Sequence, residues 1–461
     1  MRSAPTLAFV TLGCPKNQVD SEAMLGLLVR DGFRTVADPA QADVAVVNTC
    51  AFLQSAVRES RETIAQVAAL KHSGRLKGLI VAGCLAQRAG DTLLADFPEV
   101  DAVLGTGQWK DVVGAARHVL AGDGERWSRT AEPGGALDPD APRALSTPRH
   151  LAYLKISEGC DHRCTFCIIP RLRGDQKSRP LAELVAEARR LAALGVRELV
   201  LIGQDTTGYG TDLPDRPTLA DLLAALDQVE GLTWIRVQYT YPRLWSDRLI
   251  RTWAEARRVV PYVDMPLQHI APNLLRRMAR GMSAADTRAL VRRIRAGIPG
   301  VAVRTNFIVG FPGETETEFA ELCDYVEEED FDHVVVFAYE REPETPSFAM
   351  ADRIPVRERR RRRARLLEIQ QRRSRERLRT RIGAQVRVMV DGSATAGRAL
   401  PDVWAARTAG QAYEIDGGVR LEGEGLEPGQ VVEARVTGAA AYDLFARVET
   451  PALVQWSGQS W

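Results

Sequence analysis

Six of the seven cysteines in this 461-residue chain stand where thiolates could bind metal. Cys160, Cys164 and Cys167 form Cys-x3-Cys-x2-Cys within the loop Glu158-Gly159-Cys160-Asp161-His162-Arg163-Cys164-Thr165-Phe166-Cys167. Zinc sites favour four ligands in two close pairs, and no second pair lies nearby. His162 could be a fourth zinc ligand, although its place inside so tight a loop makes a closed tetrahedron awkward. Three thiolates on a short loop suit a cubane of four irons, holding three of them and leaving the fourth iron open. An open iron is a binding site. The strand-like run Ala152–Ile156 precedes the loop, so these ligands sit at a strand's carboxyl end, where reactive groups of α/β sheets and barrels collect.

Cys14, Cys50 and Cys84 are distant in sequence but share one context. The apolar runs Leu7–Leu12, Val44–Val47 and Leu79–Ala82 each end just before one of them. Helix-like stretches, Asp20–Arg30 and Ser55–Leu70, lie between. Parallel strands with right-handed crossovers would bring all three cysteines to one edge of one sheet. A single cysteine is commonly a small buried hydrophobe. Three at matching strand ends predict a second three-thiolate constellation. Cys323, in the helical run Glu318–Glu328 with no partner nearby, is expected to be buried and inert.

The elements that must position these thiols follow from periodicity. Strand–helix alternation from Met1 to about His118 predicts an α/β domain over residues 1–120. Residues 121–150, rich in Gly, Pro, Asp and Ala, read as a linker or a loop packed across the next domain. Six strand-like runs then alternate with helices over residues 151–355: Ala152–Ser157, Glu198–Ile202, Trp234–Tyr239, Tyr262–Pro266, Val301–Val309 and His333–Tyr339. That order fits an incomplete (βα)6 barrel, since a closed eight-stranded one needs two more. Residues 356–382 read as a connector helix. Within it Arg357–Arg381 carries 13 arginines against three glutamates, which suits either a solvated face or a surface for phosphate or an acidic partner. Over residues 383–450 the short runs Gln385–Val390, Val419–Leu421 and Val431–Thr437, set between Gly and Asp turns, predict a small all-β barrel.

Composition excludes several classes. With 45% hydrophobic and 26% charged residues the chain is not disordered at large. No apolar run approaches the ~20 residues that span a bilayer, and Met1–Val10 is too short and interrupted for a signal peptide, so a cytoplasmic protein without a membrane partner is expected. An odd number of cysteines fits a reducing compartment better than a disulfide framework. The net charge of +1 conceals local blocks: residues 382–461 hold six arginines, no lysine and ten acidic groups, a net charge of −4.

Taken together, these residues resemble a methylthiotransferase of the radical S-adenosylmethionine superfamily. Leu12-Gly13-Cys14-Pro15-Lys16-Asn17 and Asp20-Ser21-Glu22 resemble that family's cluster-binding domain. Cys164-Thr165-Phe166-Cys167-Ile168-Ile169-Pro170, followed by Arg173-Gly174, resembles the radical core's signature, and the C-terminal strands resemble the TRAM module. The resemblance covers about residues 1–450. One branch of the family thiolates a hypermodified adenosine in transfer RNA, and another thiolates an aspartate of ribosomal protein S-twelve. Pro15 and Lys16, where the first branch has Gln-Met, resemble the second branch. So do Gly203-Gln204-Asp205-Thr206, Met265-Pro266-Leu267-Gln268-His269-Ile270 and Tyr442-Asp443-Leu444. Gly83-Cys84-Leu85-Ala86-Gln87-Arg88 is common to both. An acidic C-terminal module complements a basic ribosomal protein better than the phosphates of transfer RNA.

The resemblance implies a transferase of sulfur-containing groups with two 4Fe-4S clusters. One lies on the catalytic triad Cys160, Cys164 and Cys167 and one on Cys14, Cys50 and Cys84. S-adenosylmethionine serves twice per turnover, as radical source and as methyl donor to sulfide on the second cluster. The 5′-deoxyadenosyl radical removes hydrogen from the aspartate β-carbon. Expected cofactor contacts are Gln204, Asp205, Arg304 and Asn306 at strand ends and the apolar turn Ile308-Val309-Gly310, although polar residues at strand ends also serve as caps. The implied partners are ribosomal protein S-twelve, free or on the small subunit, an external electron donor and a sulfur source, with ribosomal RNA as a contact for the arginine helix. The competing readings are the transfer-RNA enzyme and a non-catalytic iron–sulfur or zinc protein that binds RNA or senses redox state.

Overall fold

The computed structural model describes residues 4–122, 124–134, 141–394 and 402–449. Residues 1–3 of the expected first domain, 123 and 135–140 of the expected linker, and 395–401 and 450 of the expected C-terminal barrel lie outside them. The N-terminal part is a wholly parallel sheet of β1 (Thr6–Thr11), β2 (Arg34–Thr35), β3 (Val44–Thr49), β4 (Gly78–Gly83), β5 (Ala102–Leu104) and β6 (Trp127–Arg129), in the order β2-β1-β3-β4-β5-β6. β3 and β4 are buried along their whole length, as a strand covered on both faces must be. Side chains alternate between two cores. Leu7, Val44, Val46 and Ile80 face α1 (Pro15–Arg30), while Ala8, Ala45, Val47 and Val81 face α2 (Gln54–His72). The expected linker is corrected at one point, because Trp127–Arg129 adds the edge strand β6 parallel to β5. Three residues are too few for a period to register, and Trp127 is held by stacking on His118 at 4.3 Å.

The half-barrel consists of β7 (Leu151–Lys155), β10 (Glu198–Ile202), β11 (Trp234–Val237), β12 (Tyr262–Asp264), β13 (Ala302–Val309) and β14 (His333–Ala338). They form two parallel three-stranded sheets joined through the bridge Ile235–Val259. A short antiparallel hairpin, β8 (Ser157–Glu158) with β9 (Lys177–Ser178), extends the first sheet's carboxyl end and brackets the cysteine loop. Leu151, Tyr153, Val200 and Ile202 share a core with the N-terminal sheet, so the two parts pack as one body.

The C-terminal strands β15 (Gln385–Ser393), β16 (Val403–Thr408), β17 (Val419–Glu422), β18 (Val431–Ala439) and β19 (Leu444–Val448) close a barrel in the order β15-β16-β17-β19-β18. Its Met389 and Ala412 pack on Trp234, Tyr262 and Ala302, residues at the starting ends of core strands. The barrel therefore plugs the end opposite the cysteines. The arginine-rich helix spans Val356–Arg379 and lies along β14 and the helix Glu316–Glu329. Arg361, Arg362, Arg372, Arg373 and Arg377 pair with Glu316, Glu314, Glu327 and Asp330, so much of its charge is neutralised within the fold. Among the described residues no helix is long and apolar enough to cross a membrane.

Candidate active site

β1, β3 and β4 are neighbours, so their carboxyl ends place Cys14, Cys50 and Cys84 side by side. Cys14 is the residue before the first turn of α1, and Cys84 opens the helix α3 (Cys84–Ala89). Gly13 has φ +95°, and a Cβ there would stand 2.9 Å from the Cys50 Cβ, so only glycine lets the two loops close. Asn17 ties them by donating from Nδ2 to the carbonyls of Leu12 and Thr49, both at 2.9 Å.

On the facing half-barrel, Gly159 has φ +78° and its missing Cβ leaves room for the Asp175 carbonyl, which would lie 2.1 Å away. That close approach lets the Cys160 N–H donate to the Gly174 carbonyl at 3.0 Å, while Thr165 Oγ1 donates to the Arg277 carbonyl at 2.8 Å. All six cysteines line one cavity of about 440 Å³. Cys323 is elsewhere, half-buried against the core of the half-barrel.

Beneath the cavity an ionic network binds the two parts together. Arg173 donates to Asp20 at 2.8 Å and to Glu158 at 2.9 Å, and also to Asn17, while Lys155 bridges the same two carboxylates. Burial pushes the thiols of Cys84, Cys160 and Cys167 up to about 12 and raises that of Cys50. Cys14 is the exception. Burial opposes its ionisation, but the charges of Lys16 and Arg173 and two backbone N–H groups outweigh it and lower the thiol.

The donor set fits an iron–sulfur cubane better than zinc. His162 is engaged elsewhere, with Nε2 2.7 Å from Asp205 Oδ2 and its ring stacked 3.6 Å from Tyr241. Among the described residues no three His, Cys, Asp or Glu side chains converge to enclose a single ion. A four-iron body bridges thiols that stand apart around a cavity wall.

Of the cofactor contacts expected from the sequence, Gln204, Asn306 and Ile308 line this cavity. Gln204 donates to Glu158 at 2.7 Å and keeps a buried Oε1 with no partner among the described residues. The other four do not line it. Asp205 is buried, accepting from Thr207 and Gly208 and holding His162. Arg304 pairs with Asp264 at 2.9 Å and Asp416 at 3.3 Å, and it donates to Asn306 Oδ1 at 3.2 Å. Val309 is core, and the Gly310 N–H donates to Glu314. Polar and small residues at strand ends are read alike in sequence, but the pleat sends neighbours to opposite sides.

The structure adds Lys16, Arg173, Tyr239, Tyr241, Gln268 and Arg280 to the wall. Arg280 Nη1 lies 3.5 Å from Cys164 Sγ. Tyr239 and Gln268 have φ of +61° and +72°, and the only trace of this in sequence is that each closely follows a strand.

Comparison with known proteins agrees with this geometry. Residues 6–105 match the uncharacterized protein family UPF0004, residues 154–326 the radical SAM superfamily, and residues 382–448 the TRAM domain. The chain is 48% identical over 438 residues to the ribosomal protein uS12 methylthiotransferase RimO of Anaeromyxobacter sp. (strain K), covering 95% of this chain and 92% of that protein. It is 45% identical to the protein of the same name from Desulforudis audaxviator (strain MP104C), covering 96% and 97%. A solved structure of the radical S-adenosylmethionine methyltransferase TsrM from Kitasatospora setae, with tryptophan and a cofactor analogue bound, is similar in fold. Its TM-score is 0.54 at 16% identity, over 75% of each chain. This is a radical enzyme whose superfamily uses S-adenosylmethionine and a 4Fe-4S cluster. A three-thiolate loop at the mouth of a half-barrel, a matching cysteine triad across the cavity and close identity over nearly the full length lead to one conclusion: the chain belongs to the ribosomal protein uS12 methylthiotransferase family.

Proposed function

We propose that this enzyme attaches a methylthio group to the β-carbon of an aspartate in ribosomal protein uS12. The observation that carries the reading is that two cysteine triads, from separate parts of the chain, line one cavity. In this reading Cys160, Cys164 and Cys167 hold one 4Fe-4S cluster and Cys14, Cys50 and Cys84 hold a second. Bound to Cys160, Cys164 and Cys167, a cluster would supply one-electron reduction of S-adenosylmethionine, and one bound to Cys14, Cys50 and Cys84 would supply sulfur for methylation and transfer.

The chain's own residues bind, orient and exclude water. The free Oε1 of Gln204 is placed to accept from a cofactor N–H, and Asn306, its Oδ1 held by Arg304, is left with its amide N–H groups to donate. Ile308 and Phe166 give the flat apolar contact that an adenine ring needs. Asp205, Arg304, Val309 and Gly310 act behind the wall, fixing His162, Asn306, the core and the turn. Phe52 and Phe337, 38% and 41% exposed, rim the cavity where a protein loop would enter. Residues 1–120 and 151–355 supply the two walls, the helix within 356–382 clamps the core, and 383–450 closes the far end of the half-barrel. The electron and replacement sulfur come from outside the chain, in the cytoplasm. Arg357, Arg360, Arg375, Arg379 and Arg381, exposed along or just beyond the helix, are available to ribosomal RNA.

The test is intact-mass and fragment analysis of uS12 from cells lacking this gene and from the parent, with transfer RNA nucleosides measured in the same cultures. A methylthio increment should vanish from one aspartate while the nucleosides stay unchanged. Loss of a methylthio-adenosine instead would overturn the reading.

A further inference from the structure

Lys16 stands on the first turn of α1, two residues after Cys14, and only 7% of it is exposed. It lines the cavity, with Nζ 3.3 Å from the centroid of the Tyr239 ring. Among the described residues its ammonium has no carboxylate within ion-pairing distance and no oxygen accepting from it. The acids around it are already matched. Asp20 and Glu158 are held by Lys155 and Arg173, and Asp264 by Arg304. Of the two arginines on the same wall, Arg173 has three oxygen acceptors, while Arg280 lies over Cys164, with Nη1 3.5 Å from its Sγ, and donates to the Pro266 carbonyl at 2.5 Å, so it serves the opposite triad rather than the Cys14 side.

A buried cation without a carboxylate partner is costly; Lys16 has only the neighbouring Cys14 sulfur and the ring of Tyr239, and an aromatic face returns only about 2 kcal/mol. Such a charge, aimed into a reaction cavity, is stabilised when an anion arrives. The geometry points to Lys16 as a specificity-determining residue that receives the side-chain carboxylate of the target aspartate. This rests on the aspartate reading above. The reacting β-carbon is one bond from that carboxylate, so an ion pair at Nζ fixes it on the Cys14 side of the cavity. Tyr239 beneath keeps the ammonium from swinging away. A neutral side chain in the target position would leave Lys16 without an oxygen partner and be bound less well.

The test uses the full-length, anaerobically reconstituted enzyme with recombinant uS12 in two forms, one natural and one with the target aspartate replaced by asparagine. KM is measured for the aspartate form, and Ki for the asparagine form as its competitor. The wild-type enzyme should favour aspartate, and Lys16→Met and Lys16→Gln should each cut that preference by roughly tenfold to a hundredfold. Lys16→Arg, which keeps the charge, should restore part of it. Because the ratio is taken within each enzyme, a variant that merely disturbs the neighbouring cysteines lowers both arms together. An unchanged ratio in the two neutral variants would overturn the role of Lys16 while leaving the aspartate reading intact. If the wild-type enzyme puts no methylthio group on uS12 at all, the aspartate reading falls and this inference with it.

Discussion

A buried thiol resists ionisation unless a positive charge or a metal stands beside it, and the six thiols here differ in how much help they receive. Cys14 has Lys16 and Arg173 close by, whereas Cys160 and Cys167 are pushed up to about 12 by burial. The two triads should also differ in what their loss does. Cys164→Ala is expected to stop both 5′-deoxyadenosine release and methylthio transfer. Cys50→Ala should depress transfer far more than release, and equal loss of both would argue against separate roles. Gly13→Ala forces a left-handed φ on an alanine and drives its methyl against Cys50. A cost of about 1–3 kcal/mol in stability is expected, together with a lower iron content per chain, read by thermal melting and iron assay. The cysteines were legible in sequence because spacing alone marks them, whereas the need for glycine at 13 and 159 shows only in the backbone. Lys16 stood out only as a mark of the second branch and Arg280 not at all, since nothing local to the chain tells that a charged side chain is buried against a cavity.

At the scale of elements, the arginine-rich helix is the clearest case of sequence admitting two outcomes. Thirteen arginines could have been a free basic surface. The fold instead lays the helix against acids of the helix Glu316–Glu329 and the turn after it, which its own periodicity could not reveal. Arg362 is buried, pairs with the fully buried Glu314 at 2.8 Å and stacks over Phe319 at 5.3 Å. Arg360 is exposed and makes no such contact among the described residues. Arg362→Ala should therefore cost about 3–5 kcal/mol, because it leaves a buried carboxylate without its guanidinium, with only the Gly310 N–H and His269 as partners, while Arg360→Ala should stay within about 0.5 kcal/mol. Denaturant unfolding of the two variants checks the contrast.

For the whole molecule, the C-terminal barrel is fastened by charges as well as by apolar contact. Glu198, at the start of β10, is fully buried between Arg236 and Arg407, each at 2.7 Å, and Arg407 also binds Asp391. Despite burial, those two guanidiniums hold the Glu198 carboxyl at about 2, below its ordinary 4.5. A depressed carboxyl contributes stability that is complete above its unfolded value and is lost as pH falls from about 4.5 towards 2. Barrel docking should weaken over that window. Glu198→Gln should loosen it already at neutral pH, seen as faster proteolysis between the half-barrel and the barrel. The amino-acid sequence by itself determined the cysteine triads, the strand–helix order and the barrel class, because thiol spacing and hydrophobic period are local properties of a chain. Only the tertiary structure decided that both triads share one cavity, that Trp127–Arg129 joins the sheet and that several of the arginines pair with acids of the fold. It also decided which strand-end residues face the site. Each of those depends on contacts between residues far apart in the chain, and on the side of the pleat a residue occupies, which no local pattern encodes.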